Sequence, residues 1–173
     1  GNKTISFTIT SISEGFLVGP AKQLAATLVD DETPAQASFM LNLGTIGENI
    51  TTGSTVIINL SHAATGTGAV RISFQSEKAV YGTHFITEPA ASNGLLTLPV
   101  AVGIDHLEFK VLPVNDALFN GDRTIAYHIA DVEGAVNKGQ NVLHELKITD
   151  DELRGTGKGY EIFAGNWRYK RNY

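Results

Sequence analysis

The chain has 173 residues, 42% of them hydrophobic, with no cysteine and a formal charge of −5 at pH 7. That length accommodates one ordinary domain and an appendage, with a core able to close unaided, and the lack of cysteine excludes a disulfide scaffold, cysteine–zinc sites and cysteine nucleophiles. Five basic side chains crowd into residues 154–173, leaving residues 1–153 with 8 basic against 17 acidic groups, and such an acidic body argues against nucleic acid as the main partner.

Taken in chain order, the first element is a repeat. Residues 1–32 align without a gap on residues 121–152, with eight identities: Gly1/Gly121, Thr4/Thr124, Ile5/Ile125, Ile9/Ile129, Gly19/Gly139, Asp30/Asp150, Asp31/Asp151 and Glu32/Glu152. Apolar matches at Phe7/Tyr127, Ile12/Val132 and Leu28/Ile148 keep the same alternation. Self-similarity at a fixed offset signals tandem modules. Lys3 to Thr10 and Leu24 to Val29 therefore read as the last two strands of a unit whose other strands are not in this copy. An isolated hairpin is marginal in water, so this pair is expected to borrow a surface. The complete module, another copy of the chain or a preceding domain could supply it, and a truncated tandem array is the favoured reading. Thr33-Pro34 then forms a junction, because proline biases the residue before it toward an extended conformation.

Short, alternating, β-branched runs broken by Gly, Asn, Asp and Pro follow, the pattern of an all-β domain. The predicted strands are Ser38 to Leu43 (Phe39, Leu41 and Leu43 inward), Thr55 to Ser61 (Val56, Ile58, Leu60), Val70 to Phe74 (Val70, Ile72, Phe74) and Leu95 to Val100. His106 to Val114 (Leu107, Phe109, Val111), Arg123 to Ala130 (Ile125, Tyr127, Ile129) and Val142 to Thr149 (Val142, Leu146, Ile148) complete seven. Seven strands with one apolar face each bury it most simply as a seven-stranded antiparallel Greek-key β-sandwich, immunoglobulin-like in class. No helical stripe spans three turns, and no apolar run approaches the roughly 20 residues of a membrane span. The expected organisation is a hairpin over 1–33, a complete sandwich over 34–152 and a basic, aromatic tail over 153–173. In the tail, Tyr160 to Phe163 and Trp167 to Tyr169 flank Gly165-Asn166 as a short β-hairpin. Tyr160, Trp167 and Tyr169 are its candidate binding residues, since exposed aromatics and arginines dominate interface energies; packing is the alternative role.

The stretch Ala37 to Glu152 resembles the Calx-β domain, through four motifs in the right order. These are Gly47-Glu48-Asn49, Tyr81-Gly82-Thr83-His84-Phe85, the acidic loop Val114-Asn115-Asp116-Ala117-Leu118-Phe119-Asn120-Gly121-Asp122, and Ile148-Thr149-Asp150-Asp151-Glu152. The resemblance implies that acidic loops converge at one end of the sandwich to hold calcium, a hard cation that takes six to eight oxygen ligands. Glu48, Asp116, Asp150 and Asp151 match its ligand positions. His84, Asn115, Asn120 and Arg123 depart from it, standing where the family has Asp, Asp, Glu and Glu. A guanidinium at 123 would neutralise the neighbouring carboxylates as a fixed internal cation and make the metal superfluous. Lys3 holds the equivalent place in the first copy.

Other motifs carry less. His62, His84, His106 and His128 recur every 22 residues, but their neighbours disagree. By strand phase His128 faces solvent and His144 faces the core. No Gly-x-Ser-x-Gly or acid–base constellation stands out. The expected function is a non-enzymatic module of an extracellular or cell-surface protein, a spacer or adhesive domain contacting protein or glycan; the alternative is a calcium-binding regulatory or stabilising domain.

Overall fold

The computed structural model describes residues 1–152 and, within 153–173, the backbone of two strands, β13 (Tyr160–Phe163) and β14 (Asn166–Tyr169), which pair antiparallel with Tyr160 opposite Tyr169. The side chains of Tyr160, Trp167 and Tyr169 lie outside the described residues. No helix occurs among the described residues, and so none is long and apolar enough to cross a membrane. The chain divides into two compact units, Gly1–Thr33 and Pro34–Tyr173.

The first unit is an antiparallel pair, β1 (Lys3–Thr8) and β2 (Gln23–Leu28), with Lys3 opposite Leu28, Ile5 opposite Ala26 and Phe7 opposite Leu24. Alternation places Ile5, Phe7, Leu24 and Leu28 on one face and Thr4, Ser6, Thr8 and Thr27 on the other. Every residue of the pair is exposed.

The second unit begins with β3 (Ala35–Phe39), β4 (Leu43–Gly47), β5 (Ser54–Leu60), β6 (Gly68–Gln75) and β7 (Phe85–Glu88). It continues with β8 (Leu95–Val100), β9 (His106–Pro113), β10 (Arg123–Gly134), β11 (Val136–Lys138) and β12 (Leu143–Thr149). Two five-stranded sheets result, ordered β4-β12-β10-β6-β8 and β11-β3-β5-β9-β7. Between them lie the inward side chains of every second residue, among them Val56, Ile58, Val70, Ile72, Leu96, Phe109, Val111, Ile125, Tyr127, Leu146 and Ile148. Each such side chain stabilises the fold by about 1.5–3 kcal/mol relative to exposure. The centre is aromatic: the Tyr127 ring lies 5.2 Å from that of Phe109 and 5.9 Å from that of Phe74.

The all-β sandwich is as expected, and most of the predicted strands stand within one or two residues of their bounds. The first does not. Ser38 to Leu43 is broken between β3 and β4, which belong to different sheets, and only Phe39 of its three inward residues is buried; Leu41 and Leu43 are exposed. The crossing leaves the main chain of this segment satisfied across the gap, with Asn141 donating from Nδ2 to the Phe39 carbonyl at 2.7 Å. The short strands β7 and β11 add one edge each to the second sheet. Two pairings, β12 with β4 and β11 with β3, are parallel. At the tip of β10, Gly134 has φ +74°, and a Cβ there would meet the Thr67 carbonyl oxygen at 2.3 Å. Only glycine satisfies both constraints.

The two ends of the sandwich differ in their chain connections. At one end β3 starts, with the Ala35 N–H donating to the Ala135 carbonyl. At the other, β4 and β12 leave their sheet side by side, and the Glu48 N–H donates to the Thr149 carbonyl at 3.0 Å.

Candidate metal centre

The parallel pairing of β4 with β12 sets Gly47 opposite Thr149, so the residues that follow each strand, Glu48-Asn49 and Asp150-Asp151-Glu152, emerge together. Arg123 opens β10 opposite Ile148 and shares the inward phase of Ile125 and Tyr127, which directs its side chain beneath Glu48. The loop after β9 brings Asp116 from a third direction. All four expected ligands, Glu48, Asp116, Asp150 and Asp151, therefore reach one end of the sandwich.

They do not converge on one point. Glu48 and Arg123 are buried, 2% and 4% exposed, and the Arg123 Nη1 donates to Glu48 Oε2 at 3.0 Å. Arg123 Nη2 lies 3.8 Å from Asp116 Oδ2. Glu48 Oε1 accepts from the Asp116 N–H at 3.4 Å, and Asp116 itself accepts from the Leu118 N–H at 2.6 Å and from Asn120 Nδ2. Asp150 is turned onto the backbone, accepting from the N–H groups of Asn120 (2.6 Å), Gly121 and Glu152 (3.0 Å). Desolvation pushes the Asp150 carboxyl up, yet these amide donors together outweigh it and hold the group below its ordinary range. Gly121 reaches Asp150 with φ +76°, a backbone state that glycine adopts freely. Asp122 accepts the Asp150 N–H at 3.1 Å and pairs with Lys147.

The group that does converge is Glu48, Asp151 and Glu152, whose nearest carboxylate oxygens all lie within 4.8 Å of one another. Asn49 Nδ2 donates to Asp151 at 2.9 Å. Glu152 Oε2 is buried and has no hydrogen-bond partner among the described residues. Its carboxyl is pushed up to about 7, first by desolvation, then by its hydrogen bond with Asp150 and by the charges of Asp151, Glu48 and Asp150. Residue typing by family position passed over Glu152. The available signal was the third acid of Asp150-Asp151-Glu152, three residues beyond the end of β12 at Thr149. His84, where the family has Asp, closes its own turn instead, Nδ1 accepting from the Val80 N–H at 2.8 Å.

Comparison with solved structures finds the same architecture in Calx CBD domains. The apo form of the Calx CBD1 domain matches 68% of this chain and 98% of its own, at a TM-score of 0.57 and 19% identity. The fold is that of a Calx-β domain. The calcium binding domain CBD12 of CALX1.1 matches 67% of this chain and 46% of its own, also at 0.57 and 19%. The Calx CBD2 domain matches 71% and 91%, at 0.55 and 12%. At such identities the likeness is one of fold alone. No family model matches the chain, and no curated protein does.

Calcium asks for six to eight oxygens. Of the five carboxylates, Asp116 is engaged by Arg123, Leu118 and Asn120, Asp150 by three amides, and Glu48 by Arg123. Only the Glu152 Oε2 corner, shared with Asp151 and Glu48, is left electrostatically unsatisfied. The residues fit a single, thinly coordinated cation and not a site built from all four expected ligands.

Proposed function

We propose that this chain is part of a non-catalytic extracellular or cell-surface protein built of successive Calx-β-like sandwiches, in which residues 34–152 serve as a spacer or adhesion module that contacts protein or glycan. In this reading, residues 1–33 are the closing hairpin of a preceding unit, and the module keeps its form without metal. The observation that carries the last point is the buried Arg123–Glu48 pair: the charge that a bound cation would neutralise is already met by a side chain of the fold. The repeat at offset 120 supports the array. A glycan array and a panel of surface proteins, probed with the purified chain, test the contact role; turnover of a polysaccharide by the same preparation would oppose it.

A second reading rests on Glu152. Its buried, unpartnered oxygen beside Asp151 and Glu48 favours a calcium-responsive module with one weak ion. There Glu48, Asp151 and Glu152 would hold the ion, and calcium would supply the positive charge that relieves their mutual repulsion. Isothermal titration at pH 7.5 tests it: heat of binding in the natural chain, lost in Asp151→Asn, supports this reading, and no heat at millimolar calcium removes it.

A further inference from the structure

The N-terminal hairpin repeats more of the second unit than its sequence. Lys3 pairs with Leu28 and Phe7 with Leu24, as Arg123 pairs with Ile148 and Tyr127 with His144, the identical register displaced by 120. The hydrogen bonds beyond the ladder repeat too. Ile9 N–H donates to the Lys22 carbonyl as Ile129 N–H does to that of Val142, both at 3.0 Å. The Asp30 N–H donates to Asn2 Oδ1 as the Asp150 N–H does to Asp122 Oδ1, and the nitrogens of Gly1 and Gly121 donate to Oδ2 of Asp30 and Asp150 respectively. Two segments with eight identities in 32 positions have thus reached the same local structure.

Their surroundings are opposite. Ile125, Tyr127, Ile129, Leu146 and Ile148 are buried beneath the facing sheet, whereas Ile5, Phe7, Ile9, Leu24 and Leu28 are 43–64% exposed. β10 and β12 also have strand neighbours on their outer edges, β6 and β4, while β1 and β2 have none among the described residues. An apolar face and two open edges, both already shaped to a known complement, specify what covers them: the set of strands that covers β10 and β12.

We propose that residues 1–32 form a docking site for one occupant, a Calx-β-like segment of the β3–β9 kind that lacks its own closing hairpin and would supply a β6-like strand to the β1 edge, a β4-like strand to the β2 edge and an apolar sheet to the exposed face. This rests on the array reading above and deepens it. The module in the same chain is not that occupant, because the places beside β6 and β4 are already taken by its own β10 and β12. Two positions further specify the occupant. Ala26 stands for Leu146 and Leu24 for His144, so the fitting surface carries a larger side chain opposite Ala26 and needs no carbonyl opposite Leu24, where Leu41 serves His144 at 2.7 Å.

The test adds a complement of known sequence to the whole chain. Residues 34–120 of this protein are placed before Gly1, so that Asn120 runs into Gly1 as it runs into Gly121, and amide hydrogen exchange is read over residues 3–28. The same extended chain is prepared with Ala26→Leu, which restores the side chain that residues 34–120 face in their own module. The proposal predicts at least tenfold slower exchange of the β1 and β2 amides than in the 173-residue chain, further slowed by Ala26→Leu and abolished by Phe7→Asp. Exchange unchanged by the extension in both forms overturns it. So does protection that appears in the 173-residue chain alone, rises with its concentration and vanishes in Phe7→Asp, since the occupant is then a second copy. The array reading fails separately, by a glycan or protein contact that maps to the hairpin alone.

Discussion

Removing the Arg123 guanidinium should unfold the module far more readily than its place at one end of the sandwich suggests. Glu48 is as buried as the hydrophobic core, and its only cationic partner among the described residues is Arg123 at 3.0 Å. Breaking a buried pair by deleting one member leaves an uncompensated charge, at a cost of about 3–5 kcal/mol. For a module of this size that corresponds to a fall of about 10–20 °C in the melting midpoint. Arg123→Met keeps the length of the aliphatic stem, so lost packing contributes little. Glu48→Leu should cost a comparable amount, since Asp116 at 3.8 Å is a poor substitute acceptor. The double variant removes both charges and should be at least as stable as either single variant, a coupling of about 3 kcal/mol or more. Thermal unfolding of the four proteins followed by circular dichroism reads the cycle. A loss below about 1 kcal/mol in Arg123→Met, or a double variant as unstable as the two losses added, would refute the view that this pair holds the end of the sandwich together.

Three further outcomes follow from the same geometry. The folded Glu152 carboxyl releases its proton near pH 7 and the unfolded one near 4.5, so the stability it contributes is full below about pH 4.5 and is lost as pH rises through 7; Glu152→Gln should flatten the melting midpoint between pH 5 and 8, which a pH series checks. Tyr127→Phe should be neutral or stabilising by about 1 kcal/mol, because the buried hydroxyl has no partner among the described residues; a loss above about 1.5 kcal/mol in denaturant melts would mean that the hydroxyl is bonded. Gly134→Ala should destabilise by about 2 kcal/mol or more, from the positive φ and the 2.3 Å approach to Thr67, read by the same melts against Gly82→Ala, whose Cβ meets nothing.

What could be read from sequence followed the strength of the local period. Strands with strict alternation, such as Ser54–Leu60 and His106–Pro113, declared their bounds to within a residue together with their inward face. Ser38 to Leu43 misled because Leu41 and Leu43 continue the alternation through a place where the chain changes sheets, and an apolar residue in such a crossing is indistinguishable in sequence from one in a strand. Phe85–Glu88 and Val136–Lys138 are too short to show a period at all. At the acidic end, Arg123 was legible as an internal cation from its departure from the family pattern, though the carboxylate it meets at 3.0 Å is that of Glu48. The division of labour among the acids was not: whether a carboxylate faces a cation or a backbone amide depends on loop conformation, as the amide-bound Asp150 beside the unpartnered Glu152 shows.

The most direct measurement is the melting midpoint of the natural chain at pH 7.5 in millimolar calcium and in chelator. A ligand that binds only the folded state raises the midpoint in proportion to the logarithm of its saturation. With Arg123 supplying the charge, the two curves should superimpose, whereas Arg123→Met should gain stability from calcium. A calcium-dependent rise in the natural chain, reversed by chelator and lost in Asp151→Asn, would contradict the account.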